Sequence, residues 1–328
     1  MKILSIFAIT SLFLASLVFA DDQSWDTIMR QARELQRSAD YAGAESGFSR
    51  ALRIALESSL PNAFIARSFS GLASTYQDLG RYSDAEKLYL RSIKLLDHDG
   101  SEDPALNEPL AGLASLYHQT RQYSKAETLT LRCLTIEEGR APKNSLAFGQ
   151  QLGNLAAILQ AQRKYPQAEQ MYRRAADLLE STGTSASPEL ASVYNNLASL
   201  YIGRRRFDQA AVYLERATAI WELTLGAGHP VVAQGLSNLA CAYGSLHRID
   251  EAGALWNRAL RLYEESMGAQ HPTYAVMLSG YADFLQRSRR SLEANQVRRR
   301  SQAILAAHQS SDQSPDRYTV DFRDLARH

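Results

Sequence analysis

The sequence predicts an all-α protein, an α-solenoid of about seven stacked helix-turn-helix units. A Leu-Ala pair, replaced by Tyr-Ala near the end, recurs every 41 or 42 residues. A second Ala stands twelve positions after the Ala of each pair, and a third small residue (Ala, Ser or Cys) stands seven further on. A fixed period of this length is typical of stacked units that bury their apolar faces only against one another. The frame starts in each unit at Ala32, Ala73, Ala114, Ala156, Ala198, Ala240 and Ala282.

Each unit is predicted to contain two helices joined by a tight turn. In the fifth unit Val193, Leu197 and Leu200 recur at helical spacing and define the apolar face of the first helix. A polar turn at 203–206 follows, and Asp208 is the expected N-cap of the second helix. The small residues are expected where the two helix axes approach most closely, because a larger side chain would push the axes apart.

Large side chains fill the complementary positions of the frame. The residue three after the first Ala is Leu or Tyr throughout, at positions 35, 76, 117, 159, 201, 243 and 285. The residue nine after it is large in six units and polar in the last, namely Tyr41, Tyr82, Tyr123, Tyr165, Phe207, Ile249 and Ser291.

This arrangement resembles the tetratricopeptide repeat, and the resemblance covers roughly residues 25 to 306. The connectors at 225–230 and 267–272 both end in His-Pro and resemble those of the longer, kinesin-light-chain type of repeat. The resemblance implies a right-handed solenoid over residues 21–306, with the seventh unit as its cap. His229 and His271 are expected to be connector residues rather than metal ligands.

The N-terminus has the pattern of a secretory signal peptide. Lys2 is followed by an apolar run that ends in Val18-Phe19-Ala20, a small-residue cleavage pattern. We expect residues 1–20 to be removed after Ala20 and the mature chain to be exported, to the periplasm or the medium, without stable membrane insertion. The alternative is an uncleaved anchor, because the run approaches the length that spans a bilayer.

The charge balance argues against a nucleic-acid-binding protein, and the positions of the two cysteines argue against a disulfide. The chain has 36 basic and 35 acidic residues, and the leader carries one of the basic ones, so the mature chain is neutral. Nucleic-acid binding through long-range charge is therefore not expected. Cys133 and Cys241 belong to the third and sixth units, too far apart for a disulfide, and are expected to be free thiols.

The C-terminal segment 307–328 departs from the repeat frame. It begins with a polar, turn-forming run and is predicted to be disordered.

No catalytic motif is present in the sequence. It contains no nucleophile elbow, no His-Glu-x-x-His pair, no phosphate-binding glycine loop and no paired-cysteine metal spacing. We therefore expect a protein that is not an enzyme and that holds neither a metal nor a cofactor.

The tetratricopeptide resemblance places a binding groove along the first helices. Asn154, Asn196 and Asn238 precede the Leu-Ala pairs of units four to six, where an Asn of the family points into the groove. The alternative is that these amides link neighbouring helices. Four more polar residues are expected on the same face, one turn before or three residues after the asparagines, namely Gln150, Ser192, Gln234 and Ser199.

These observations predict an exported scaffold that binds a peptide or protein in its concave groove. One alternative is a structural subunit of an envelope assembly that uses its convex face or its ends. A weaker alternative is an accessory module of an enzyme. The identity of the partner and the oligomeric state are left open by the sequence.

Overall fold

A computed structural model describes residues 24–97, 103–138, 146–181 and 186–311. These residues form fourteen α-helices and a short 3-10 helix at Pro104–Leu106, and none of them lies in a strand. The predicted all-α repeat of helix-turn-helix units is confirmed. The chain divides into two compact parts, each made of several repeats, which we call unit 1 (Met1 to Arg140) and unit 2 (Ala141 to His328). A single helix-turn-helix unit is called a repeat from here on.

The helices alternate between a first and a second helix of each repeat. In unit 1 they are α1 (24–37), α2 (Tyr41–Glu57), α3 (Asn62–Asp78), α4 (Tyr82–Leu96), α5 (Asn107–Gln119) and α6 (Tyr123–Glu138). In unit 2 they are α7 (Leu146–Ala161), α8 (Tyr165–Ser181), α9 (Pro188–Gly203), α10 (Phe207–Leu225), α11 (Pro230–Ser245), α12 (Ile249–Met267), α13 (Pro272–Arg287) and α14 (Ser291–Ser311). Odd-numbered helices carry the Leu-Ala or Tyr-Ala pairs from α3 onward.

The small-residue frame is the packed seam of every repeat. All of its members are buried, from Ala32 in α1 to Ser301 in α14. Large side chains from the adjacent helices close over them, and Trp25, Tyr172 and Trp256 are among the most buried. The periodicity of the sequence therefore identifies the core.

All seven first helices end in the same Schellman motif. In α9 the amide of Arg206 donates to the carbonyl of Tyr201 at 2.8 Å, and the amide of Arg205 donates to that of Ile202 at 2.9 Å. Arg205 has a φ of 58°, and Gly80, the equivalent residue at the end of α3, has a φ of 71°. This left-handed residue turns the chain sharply enough for the second helix to start two residues later.

A repeated contact, which we call the tyrosine clamp, joins four first helices to the second helix before them. In each, a tyrosine hydroxyl donates to a glutamate: Tyr76 to Glu45, Tyr117 to Glu86, Tyr201 to Glu169 and Tyr243 to Glu215, at 2.5–2.9 Å. A basic side chain lies over each ring, as Arg206 does at 5.0 Å from the ring centre of Tyr201. The clamp couples neighbouring repeats through a charge-assisted hydrogen bond.

The helix starts correct one prediction and refine another. Asp208 is not the N-cap of α10, because Arg206 occupies that position and the helix begins at Phe207. His229 and His271 are N-caps of α11 and α13, with their Nδ1 atoms accepting from Val231 and Thr273 amides at 3.3 and 3.1 Å. These two connector histidines thus have a specific role, which is to cap the helix that follows.

The ends of the chain fall partly outside the described residues. Helix α14 continues to Ser311, past the boundary that the sequence set at 306. The predicted leader at 1–20 and the rest of the predicted tail, from 312 to 328, lie outside the described residues. Among the helices that are described, none combines the length and the apolar character needed to span a membrane.

Candidate functional site

The predicted groove residues lie on three first helices of unit 2. Five of them are exposed to solvent, namely Gln150 and Asn154 on α7, Ser192 and Asn196 on α9, and Gln234 on α11. Ser199 is half-buried. Asn238 is 6% exposed. On α7 and α9 the exposed side chains are one helical turn apart and therefore share one face, which we call the first-helix face.

The hydrogen bonds of the three asparagines separate their roles. The Asn238 Nδ2 atom donates to Asn195 Oδ1 at 2.8 Å, so at this position the structure shows the alternative of a link between neighbouring first helices. Among the residues that the structure describes, the Asn154 amide donates only to Gln151 of its own helix, at 3.4 Å. Within the described part of the chain, the Asn196 amide has no hydrogen-bond partner. Two of the three amides therefore remain presented to solvent.

The sequence did not single out Asn195, which the structure shows to be the hydrogen-bond partner of Asn238. It stands next to Asn196 on α9, and its carbonyl oxygen holds the Asn238 amide. The signal for it was the doubled Asn195-Asn196, since adjacent residues of a helix point about 100° apart. One asparagine of the pair therefore faces the next repeat while the other faces solvent.

Unit 1 contains a cavity of about 310 Å³ on its own first-helix face. Its walls come from the first helices α1, α3 and α5, and its floor includes the aromatic rings of Phe48 and Tyr89 from α2 and α4. The lining residues are Arg33, Gln36, Arg37, Phe48, Ser70, Gly71, Ser74, Tyr89, Glu108 and Gly112. No residue of this cavity was a predicted site residue.

Two glycines make room for the aromatic floor. A Cβ atom on Gly71 would lie 2.5 Å from the Phe48 ring, and one on Gly112 would lie 2.4 Å from the Tyr89 ring. These glycines occupy the position that holds Asn154, Asn196 and Asn238 in unit 2. A side chain is excluded at Gly71 and Gly112 because an aromatic ring of the preceding second helix already fills the space.

Charged and polar groups are fixed around the cavity. The Arg33 guanidinium donates to Glu108 at 3.0 Å, and the Arg67 Nε atom lies 3.6 Å from the other oxygen of the same carboxylate. Gln36 donates to Ser74 at 2.8 Å and to Asp78 at 2.6 Å. The site therefore combines guanidinium groups at its mouth with an apolar floor.

The described residues offer little to a catalytic interpretation. Burial raises the pKa of the Cys133 thiol to about 12, so it stays protonated and is a poor nucleophile. No group of three His, Cys, Asp or Glu side chains in the described ranges is placed to hold a metal ion.

Comparison with known protein families identifies the family of this chain. Two family models match it, and both describe the tetratricopeptide repeat. The first matches residues 27–98, 64–138, 151–223 and 189–252, and the second matches residues 232–273. No curated protein sequence matches the chain.

Several solved structures have a similar fold. BtubC (BKLC) from P. vanneervenii is 27% identical, over 72% of this chain and 90% of that chain, with a TM-score of 0.57. Repeats of a putative kinesin light chain from Podospora anserina are 22% identical, over 64% of this chain and 99% of theirs, with a TM-score of 0.56. A Rap protein solved in complex with competence and sporulation factor is 12% identical, over 88% of this chain and 99% of that chain, with a TM-score of 0.52.

Proposed function

Because the chain belongs to the tetratricopeptide repeat family, we propose that it is an exported, non-enzymatic scaffold that binds a peptide or protein segment along its first-helix face. Stacked repeats of this kind provide an interaction surface whose ligand contacts several repeats at once. The leader-like residues 1–20 support export, and the lack of catalytic motifs in the sequence supports a binding role.

The observation that carries this proposal is the exposure of Asn154 and Asn196 on equivalent positions of α7 and α9. A side-chain amide both donates and accepts, so it can pair with a peptide backbone running in either direction. Gln150 and Ser192 lie one turn earlier on the same helices and extend this polar surface. A surface that is polar and poor in aromatic groups suits an extended segment held through its backbone more than a small apolar molecule.

Asn196 and Asn238 form a matched pair for a test. We expect Asn196→Ala to weaken binding about five- to a hundredfold, the effect of losing a hydrogen bond of about 1–3 kcal/mol whose ligand partner stays buried. The melting temperature should hardly change, since the Asn196 amide bonds no neighbouring helix. Asn238→Ala should instead lower the melting temperature, because it leaves Asn195 without its partner.

The partner for this test is obtained by affinity capture from the envelope extract of the source cells, identified by mass spectrometry, and then titrated as a purified protein. Equal binding by the wild type and by a double variant at Asn154 and Asn196, with the fold intact, would remove the first-helix face as the binding surface.

The exposed apolar residues favour a second candidate, a structural subunit of an envelope assembly that uses the second helices. Leu90 on α4 and Leu131 on α6 occupy equivalent positions and are 48% and 47% exposed. Their replacement by Asp should abolish partner capture in this case, while the asparagine variants would leave capture unchanged.

A further inference from the structure

We propose that one edge of unit 2 binds the surface of a lipid bilayer that contains anionic headgroups. This edge is formed by the turns that join the first to the second helix of each repeat. We call it the turn edge and define it by residues 160–169, 202–211, 244–253 and 286–295. It is a different surface from the first-helix face, and its partner is of a different class.

The turns of unit 2 share one edge because its first helices run side by side in the same direction. Asn238 near the middle of α11 bonds to Asn195 near the middle of α9, so these helices are in register. Each turn joins the C-terminus of one helix to the N-terminus of the next, and the two helix dipoles largely cancel there. Side-chain charges therefore determine the potential at this edge.

The side chains of the turn edge are predominantly basic. Its four segments contain nine Lys and Arg residues and five Asp and Glu residues, whereas the whole chain contains 36 and 35. At the opposite edge, the last turns of α8, α10 and α12 contain glutamates and no basic residue. Charge is therefore segregated between two edges of unit 2 although the chain is almost neutral.

A basic residue stands at the left-handed position of every turn in unit 2. The four residues are exposed and have φ values between 58° and 62°, namely Arg163, Arg205, His247 and Arg289. A left-handed conformation favours glycine, which occupies the equivalent position at Gly80. An arginine retained at a strained position indicates a role for its charge outside the turn itself.

The arginines at the left-handed positions differ from the residue that follows them. In the fifth repeat Arg206 pairs with Glu169 at 3.4 Å. Arg205, beside it, forms no ion pair with any residue that the structure describes, and the same is true of Arg163 and Arg289. Their guanidinium groups can therefore form charge-assisted hydrogen bonds to phosphate groups outside the protein.

Two exposed apolar side chains lie among these charges. Leu292, the second residue of α14, is 83% exposed, and Ile249, the first residue of α12, is 38% exposed. Basic residues beside exposed aliphatic ones are typical of surfaces at a bilayer interface, where the charges contact headgroups and the aliphatic groups enter the acyl boundary. This combination favours a bilayer over an acidic protein as the partner.

Binding at the turn edge leaves the first-helix face accessible. Asn154 and Asn196 lie about two helical turns before the ends of α7 and α9. A scaffold held at a membrane by one edge can therefore still bind a segment along that face.

The test is flotation of the purified chain with lipid vesicles. The chain from residue 21 is used, because it keeps every described residue and omits the leader-like residues 1–20, which would bind lipid themselves. We expect binding to vesicles of phosphatidylcholine mixed equally with phosphatidylglycerol, no binding to phosphatidylcholine alone, and a steep fall with added salt. A chain that does not float with the anionic vesicles would overturn the proposal.

The turn-edge arginines are tested together. Replacing Arg163, Arg205 and Arg289 by Gln should weaken binding about a hundredfold, since each basic residue near an anionic surface contributes roughly fivefold. Unchanged binding by this triple variant would overturn the proposal.

A control removes the same charge from the second helices, with Arg216, Arg258 and Arg261 replaced by Gln. These exposed residues lie about 13 Å or more along the axis from the start of α10 or α12, beyond the screening length of about 10 Å at 0.1 M salt. The control should bind vesicles as the wild type does, and an equal loss in both triple variants would show that net charge, not the turn edge, directs binding.

Arg205→Gly separates the charge from the fold because binding and stability should change in opposite directions. The glycine relieves the left-handed residue, so the melting temperature should rise while binding falls about fivefold. Arg205→Lys keeps the charge and should bind like the wild type. Leu292→Ser should weaken binding roughly two- to tenfold at an unchanged melting temperature, because this side chain is exposed in the free protein.

Soluble anions distinguish the bilayer from other partners. Binding to polyglutamate that requires the same three arginines, without binding to vesicles, would overturn the proposal and assign the turn edge to an acidic protein. Equal affinity for monomeric dihexanoyl phosphatidylglycerol would overturn it in favour of a site for a single phosphate group. Asn154→Ala combined with Asn196→Ala should leave vesicle binding unchanged, so failure at the turn edge and failure of the proposed function are separate results.

Discussion

The glycine at position 112 allows the packing of unit 1 to be tested with a single methyl group. An added Cβ atom would lie 2.4 Å from Tyr89 Cε1, 2.5 Å from Cζ and 2.7 Å from the hydroxyl oxygen. Tyr89 is 3% exposed and has little room to move. Overpacking of this kind costs about 1–3 kcal/mol, while the helix gains about 0.5–1 kcal/mol from replacing glycine. We expect Gly112→Ala to lower the free energy of unfolding by about 1 kcal/mol.

Gly153→Ala is the matched control, because this glycine also lies in the middle of a first helix. Its added Cβ atom would lie 3.5 Å from Val193, an ordinary contact distance. We expect this variant to gain about 0.5–1 kcal/mol from helix propensity alone. Urea unfolding followed by circular dichroism measures both changes, and hydrogen exchange of the α5 amides locates the first. A Gly112→Ala variant at least as stable as the wild type would refute the reasoning.

Three further changes have defined outcomes. Arg205→Gly should raise the free energy of unfolding by up to about 1 kcal/mol in urea titrations, because a left-handed residue strains any side chain but glycine; a loss would mean that the Arg205 side chain stabilises the turn. Tyr201→Phe should cost about 1–2 kcal/mol in the same titration, since Glu169 loses the donor of the tyrosine clamp; an unchanged midpoint would show that the clamp adds nothing. Burial lowers the pKa of the His118 imidazole in the folded protein. The stability that this neutral side chain contributes is therefore present above the pKa that His118 has in the unfolded chain, and it is lost as the pH falls below that value. Melting temperatures between pH 7 and 5 should therefore fall less for His118→Gln than for the wild type, and parallel curves would contradict this.

The repeat frame was predictable because it depends on spacing alone. The tetratricopeptide assignment is confirmed by the family matches, and the residue nine positions after each first Ala is the first residue of every second helix. Spacing determines these features because the same contact recurs in each repeat. Spacing did not predict the N-cap of α10, which was expected at Asp208. The preceding turn uses Arg205 in a left-handed conformation that the sequence gives no reason to expect.

The site was predictable only in part. The sequence treats Asn196 and Asn238 as equivalent, but their exposure depends on the helix before each one, and α9 presents Asn195 to Asn238. Gly71 and Gly112 look like missing groove residues in the sequence. In the structure they are the residues that make the unit 1 cavity, because their role depends on aromatic rings some 23 positions away along the chain. Contacts between repeats decide both cases.

Two connectors between repeats have the same local structure where the next first helix begins. Ser187 caps α9 and His229 caps α11, both in extended backbone conformations and both followed by a proline at the start of the helix. Excising residues 188–229 would therefore join two ends that already share the same local geometry. Neighbouring packed helices are roughly 8–10 Å apart, and an extended chain rises about 3.3 Å per residue. Each repeat gained or lost would thus lengthen or shorten the row of first helices by about the length of three extended residues.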